Sequence, residues 1–581
     1  MFRLARRLLT TGCVLVSSGV LAANKSEPNC RCIPGDTCWP SLEEWSRLDN
    51  TVGGRLIAAA PVGSVCHQPN YNEVACDDVK KAWGLPQTFF PNPVEIMDPY
   101  AQNQSCDPFT PSSTVCTPGN YVVYTINAST AADVTAGLEF AQKQNIRLVI
   151  KNTGHDYLGK STGKGALGIW THNMKEIDIH NYTSPGYTGK AVKIGAGSQA
   201  FEVYAAAAAQ GLRVVGGECT TVGLAGGYLQ GGGHSPLSSI YGMGADQVLE
   251  WDVVKADGCR VTASPTENTD LYWALSGGGG GTYGVVLSAT VKAFEDGRVG
   301  GAFIQFGKAN VSDEAFWKGV EAFHAALPAL VDAGGATLHS LTNDSFVIVP
   351  LTVPGKTVEQ VTELLQPFKS RMDALKLPMV LNITSFPTYY EHFDHYLGPM
   401  PYGLPLINIV DVSIAGRLIP RKVVEDPESN AAFIEALKKS VYPGGSFITG
   451  GVSFNAPHSV AGNGPSTNAV LPAWRDAILN VIAFAPWSYQ EATTAQNLKA
   501  EDYLIDVTLP ALKSVSPGGS AYLNEANLRQ ADWKQSFYGA NYERLRAIKR
   551  TYDPTDLFYA ETAVGSDAWT QDSDGRLCRV Q

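Results

Sequence analysis

Positive charge is scarce in this 581-residue sequence, where 44 Lys and Arg face 55 Asp and Glu. Nucleic acids and anionic membranes are bound through clustered Lys and Arg, so neither is an expected partner. Beyond the first two dozen residues there is no apolar run long enough for a membrane helix. Internal repeats and low-complexity tracts are also missing, which excludes a solenoid and a disordered arm. After Cys116 only Cys219, Cys259 and Cys578 remain, and Cys30-Arg-Cys32 has no second Cys/His pair at finger spacing. His392 and His395 likewise lack an acidic or cysteine ligand set, so no metal site is expected.

What is present describes a globular chain, 44% hydrophobic and 17% charged, long enough for two to four domains. Residues 1–23 read as a secretory signal: Arg3, Arg6 and Arg7 precede an apolar stretch ending in Ala22-Ala23. Its removal leaves 41 basic against 55 acidic residues, a mature charge of about −14. Asn-x-Ser/Thr sites at Asn24, Asn103, Asn127, Asn181, Asn310, Asn343 and Asn382 agree with a secreted, extracellular glycoprotein. Cys30, Cys32, Cys38, Cys66, Cys76, Cys106 and Cys116 then imply a disulfide-stapled lead segment over 24–115, of unspecified connectivity. If Cys219 is otherwise engaged, nine mature cysteines are left and at least one is unpaired.

Further along, Thr130 is placed to cap a helix from Ala131 to Gln144, and Arg147–Ile150, Leu167–Trp170 and Ala191–Ile194 read as strands. A hairpin is expected from Val248 to Ala263 around Asp257-Gly258. Gly279, Gly281 and Gly284 spell GxGxxG, but the strand-like Val285–Val291 follows them, and a dinucleotide fingerprint needs a helix there. From about residue 300 amphipathic helices (Asp313–Ala326, Thr357–Leu375, Glu428–Ser440) alternate with strands (Ser345–Val353, Ile407–Ile414, Ser446–Phe454). Ala521–Asn524 has strand composition, and Tyr538–Tyr552 reads as a helix stopped by Asp553-Pro554.

Two glycine-rich loops dominate the middle of the chain. Residues 216–235 hold eight glycines together with Cys219, His234 and Ser235, and Lys151–Gly163 holds His155. Glycine there lets bare amides approach a ligand, as at pyrophosphate sites.

Asn152-Thr-Gly-His155-Asp-Tyr157 and Gly217-Glu-Cys219-Thr-Thr-Val-Gly223 together resemble the two FAD-attachment motifs of vanillyl-alcohol-oxidase-type flavoproteins, in their berberine-bridge-enzyme-like branch. Tyr283-Gly-Val-Val286, Asn541-Tyr-x-Arg-Leu545 and Tyr552-Asp-Pro-Thr-Asp-Leu-Phe558 fit the same pattern, and the likeness runs from about residue 116 to 563. The lead segment Cys30–Ser41 is similar to secreted fungal proteins of the isoamyl-alcohol-oxidase group. The resemblance implies FAD bonded through its 8α-methyl carbon to His155 and through C6 to Cys219. It further implies that Asn152, Thr153, Gly154, Thr221, Val222, Gly223, Gly226, Gly227, Gly284 and Val286 line the cofactor, with Val222 at the oxygen-gating position.

Oxidation of an alcohol requires a base as hydride leaves. Tyr157, and Tyr522 with Asn524 on a C-terminal strand, match positions where related oligosaccharide oxidases keep active-site residues. His234 replaces a tyrosine of those enzymes and is a candidate base or a structural cap. The aromatic run Phe386–Tyr396 and Tyr402 could stack on a substrate ring or simply pack.

The implied fold is α+β, with a PCMH-type FAD-binding domain of two α/β subdomains and a substrate domain of antiparallel sheet and flanking helices. Expected boundaries are 24–115 for the extension, 116–298 for FAD binding, 299–510 for substrate and 511–581 for a segment returning to the FAD domain. The expected activity is hydride transfer from an alcohol carbon of a small organic or oligosaccharide substrate to FAD and then to molecular oxygen, giving H2O2, in a monomer. An oxidative cyclase or dehydrogenase of secondary metabolism, and a non-catalytic flavin-binding protein, are the alternatives.

Overall fold

The computed structural model describes residues 30–102, 105–403, 410–441, 448–489 and 494–580. The signal segment, Asn24 and Asn103 lie outside them. No described helix is long and apolar enough to cross a membrane.

A four-stranded sheet comes first, in the order Leu56–Ala58, Tyr124–Asn127, Leu167–Trp170, Leu148–Lys151. All pairs but the first are parallel. The helix Ala131–Lys143 covers it, opened by a capping box between Thr130 and Asp133. Its Val134, Leu138 and Ala141 stack on Ile126, Leu148 and Ile169 in one buried cluster. The lead segment contributes the helices Leu42–Thr51 and Glu73–Ala82 as well as the edge strand.

Next is a five-stranded antiparallel sheet, ordered Ile177–Ser184, Tyr187–Gly195, Val285–Lys292, Val248–Val254, Arg260–Ala263. The expected hairpin turns at Gly258 with φ +80°. Residues 277–284 join the helix Thr269–Leu275 to the strand Val285–Lys292, so the GxGxxG spelling is not a dinucleotide fold.

The third sheet has seven antiparallel strands, ordered Met379–Phe386, Val299–Gly307, Ser345–Pro354, Ala336–Leu341, Ile448–Ser453, Ala477–Pro486, Val412–Pro420. Helices Asp313–Asp332, Val358–Ala374 and Pro427–Ser440 bury their apolar stripes against it. The expected strand Ile407–Ile414 is displaced towards the C-terminus, and residues 407–409 lie outside the described set.

Four disulfides join Cys30 to Cys578, Cys32 to Cys38, Cys66 to Cys76 and Cys106 to Cys116. Cys259 is also disulfide-bonded, and Cys219 is the free cysteine among the described residues. Ala521–Asn524 is not a strand. The Glu525 amide donates back to the Tyr522 carbonyl at 2.9 Å, closing a turn before any ladder forms.

A buried ion pair joins the turn Gly244–Gln247, before the strand Val248–Val254, to the turn Pro472–Arg475, before the strand Ala477–Pro486. The Asp246 carboxylate accepts from Arg475 at 2.8 and 2.9 Å, from Asn463 at 2.6 Å and from Asn468 at 2.7 Å. Both members of the pair are buried. Asp246→Ala should therefore strand the guanidinium and cost about 3–5 kcal/mol, seen as a lowered urea midpoint. Asp252→Ala, facing the exposed Arg260, should cost under about 1 kcal/mol.

Candidate active site

The strand Leu148–Lys151 runs straight into the first glycine loop. Among the described residues, the amides of Thr153 to Tyr157 donate to no protein acceptor. The second loop lies on top of it with almost no clearance. A Cβ on Gly223 would fall 2.0 Å from Asn152 Oδ1, and one on Gly226 would fall 3.0 Å from Asn152 Cγ. Asn152 is held by its own amide, which donates to Ala196 O at 2.5 Å and Thr171 Oγ1 at 3.2 Å. Its Oδ1 is buried without a partner.

This contact sets Thr221 between the two attachment candidates. Its hydroxyl is 2.8 Å from His155 Nε2 and 3.7 Å from Cys219 Sγ. Burial, with Lys151 beside it, pushes the His155 imidazolium pKa down to about 3, so the ring is neutral at pH 7. Burial raises the Cys219 thiol, opposed by its hydrogen bond from Thr221. Behind the loop, burial pushes Lys151 down to about 7 and Glu95 up to about 7, and Lys151 donates to Asn92 O at 2.8 Å.

Between these loops and the seven-stranded sheet lies a cavity of about 340 Å³. It is bordered by Tyr157, His234, Tyr522 and Asn524, and by His155, Cys219, Asn152, Thr153, Gly154, Val222, Gly223, Gly226, Gly227, Gly284 and Val286. Thr221 stands just behind the wall. Of the aromatic run, Tyr389, Phe393 and Tyr396 pack into the core, while Tyr402 reaches the cavity.

Tyr522 and Asn524 arrive on the turn, not on a strand. The Glu525 carbonyl lies flush on Gly416, where a Cβ would approach it to 2.0 Å. Asn524 Nδ2 donates to Gly227 O at 2.8 Å and to Tyr522 Oη at 2.9 Å. Burial raises the phenols of both Tyr522 and Tyr157, so each is neutral at pH 7.

His234 lies between two carboxylates, hydrogen-bonded to Glu525 through Nε2 and in ion-pair range of Glu218 at Nδ1. Nδ1 lies 3.2 Å from Glu218 Oε2 and Nε2 lies 3.0 Å from Glu525 Oε1. Although burial alone would lower it, Glu525 and Glu218 hold its pKa well above the ordinary imidazole value. A raised pKa between two carboxylates favours the held-cation reading of His234 over the base reading. Neither glutamate was singled out from sequence, though Glu218 directly precedes Cys219 and Glu525 directly follows Asn524. Adjacency to those motifs was the available signal.

The residues present fit FAD. A run of free amides suits a pyrophosphate, an unpaired Asn152 Oδ1 awaits a donor, and a neutral imidazole stands beside a thiol.

Residues 123–264 match the FAD binding domain family, and residues 521–565 match the family described as berberine and berberine like. The chain is 48% identical over 552 residues to the FAD-linked oxidoreductase patO of Aspergillus clavatus, covering 95% of each. The crystal structure of the VAO-type flavoprotein MtVAO615 from Myceliophthora thermophila C1 superposes with a TM-score of 0.90 at 45% identity, over 95% of this chain and 100% of that one. A glucooligosaccharide oxidase from Acremonium strictum with 6-S-cysteinyl, 8α-N1-histidyl FAD shares the fold, at TM-score 0.64 and 20% identity, over 77% of this chain and 92% of that one.

Gly223→Ala should push Asn152 off its partners and lower the flavin-to-protein absorbance ratio several-fold. Gly186→Ala, with nothing within 4 Å of its Cβ, should leave the ratio unchanged.

Proposed function

The chain belongs to the VAO-type FAD-linked oxidoreductases, and from that premise we propose that it is a secreted alcohol oxidase with its FAD bonded to both His155 and Cys219. The observation that carries this reading is the Thr221 hydroxyl, within 2.8 Å of His155 Nε2 and 3.7 Å of Cys219 Sγ. With Nε2 engaged by Thr221, Nδ1 is the nitrogen available for a bond. A Thr221 O–H turned toward Sγ stabilises the thiolate that such attachment needs.

When bound, FAD supplies the hydride acceptor, and O2 is the proposed final acceptor, giving H2O2. The unpaired amides of Thr153 to Tyr157 hold the phosphates, and Gly223, Gly226 and Gly227 admit the rest of the cofactor because they carry no side chain. Val222 borders the same cavity, consistent with the oxygen-gating position. Secretion is supported by the disulfides and by exposed sequon asparagines at Asn181, Asn310, Asn343 and Asn382. The protein is proposed to act as a monomer.

Two measurements test the proposal. Proteolysis and mass spectrometry of the yellow protein should find one flavin joined to the peptides of both His155 and Cys219. Cys219→Ser should leave the histidyl link alone, and His155→Ala the thioether alone. Turnover of an accepted alcohol in air should release one H2O2 per product; flavin that is reduced by substrate but reoxidises only with an artificial acceptor makes the protein a dehydrogenase.

A further inference from the structure

Five charged side chains border the cavity: Asp156, Lys160, Glu218, His234 and Glu525. Asp156 is turned onto the Ser161 amide and hydroxyl at 2.7 Å each. Lys160 reaches Leu523 O at 3.4 Å. The remaining three form the row Glu218, His234, Glu525, two carboxylates around one cation. The row is walled in by the rings of Phe454, Trp474 and Tyr522. Asn480 Nδ2 donates to Glu525 Oε2 at 2.7 Å. A carboxylate offers about four acceptor positions, so His234 and Asn480 leave Glu525 with capacity to spare. It is also the more open of the two glutamates, its side chain 21% exposed against 14% for Glu218.

The facing wall comes from alternate positions of the seven-stranded sheet. Leu338, Val452, Ile482, Ile414 and Phe484 border the cavity there, interspersed with Gly450 and Gly451. Their register makes one continuous face, with Leu338 opposite Val452, Gly450 opposite Ile482 and Ile414 opposite Phe484. Asn480 on the same face is committed to Glu525. A ligand lying on this wall finds hydrocarbon, and a hydroxyl on every carbon would be left without partners.

Resting on the alcohol-oxidase reading, we propose that Glu525 accepts the proton of the substrate hydroxyl, and that the Glu218–His234–Glu525 row with its apolar wall admits neutral, largely hydrocarbon hydroxy compounds and rejects carboxylates and oligosaccharides. The carbinol carbon gives its hydride to FAD, the O–H proton passes to Glu525, and a C=O product forms. Glu525 then returns the proton to water. The other groups at hand suit this less: His234 stands between two carboxylates with Nε2 bonded to Glu525, the Tyr157 and Tyr522 phenols are raised by burial, and Asn524 is an amide.

Binding and reduction are read separately. Titrating the yellow protein at pH 7 with benzyl alcohol and with benzoate, followed by perturbation of the flavin spectrum, should show the alcohol bound at least about tenfold more tightly, since two charges at this range interact strongly in a partly buried site. Glu218→Gln should narrow that ratio. Benzoate bound as tightly as benzyl alcohol by the wild type overturns the selectivity. In anaerobic mixing with neutral aryl and medium-chain alcohols, 4-(hydroxymethyl)benzoate and cellobiose, only the neutral alcohols should bleach the flavin. Glu525→Gln should slow bleaching about 100-fold or more while keeping the Kd for benzyl alcohol within about threefold. Unaltered bleaching in Glu525→Gln, with Glu525→Asp no faster than Gln, overturns the proton-acceptor role. If no alcohol bleaches the wild type, the alcohol reading fails together with the Glu525 role, while the binding ratio still decides the charge selectivity.

Discussion

Two glycine backbones resting on one asparagine side chain set the geometry on which the site depends. Asn152 is fixed from below by Thr171 and Ala196, so it cannot yield. Gly223 lies against it at a distance no side-chain-bearing residue could reach, and Gly226 leaves a Cβ only 3.0 Å from Asn152 Cγ. The second loop is thereby registered on the first, and Thr221 falls between His155 and Cys219. A loose loop pair would present the same imidazole and thiol at random separations; this one presents them to a single group.

The same economy of space governs charge. Lys151, Asp246 and His234 are all buried, and each is met by opposite charge or by carbonyls. Burial works differently on each group. It lowers the His155 pKa, with the cation Lys151 adding to the effect, whereas at His234 the carboxylates of Glu525 and Glu218 outweigh it. Two histidines that look alike in sequence thus have their pKa values moved in opposite directions.

Much of the architecture was legible residue by residue. Thr130 announced the start of the first long helix, Leu167–Trp170 read as a strand, and Val285–Val291 revealed that the preceding glycines do not open a helix. Strands such as Ile177–Ser184 and Met379–Phe386 escaped because they are only partly buried and carry polar residues on both faces. The segment Ala521–Asn524 misled in the other direction. Its composition favours a strand, yet Gly416 offers it a flat place to turn, and the turn delivers Glu525 to His234.

From the sequence alone came the resemblance of the two glycine-rich loops to FAD-attachment motifs, and an FAD binding domain match spans both. The α+β character followed equally well, since helix and strand periodicities are local too. Protonation was different. Whether His234 is a base or a held cation depends on Glu525, almost three hundred residues away, and on a sheet whose strands meet only in the folded chain. Partners that distant in sequence leave no local pattern, so tertiary packing alone decided which carboxylates stand beside His234 and which strands wall the cavity.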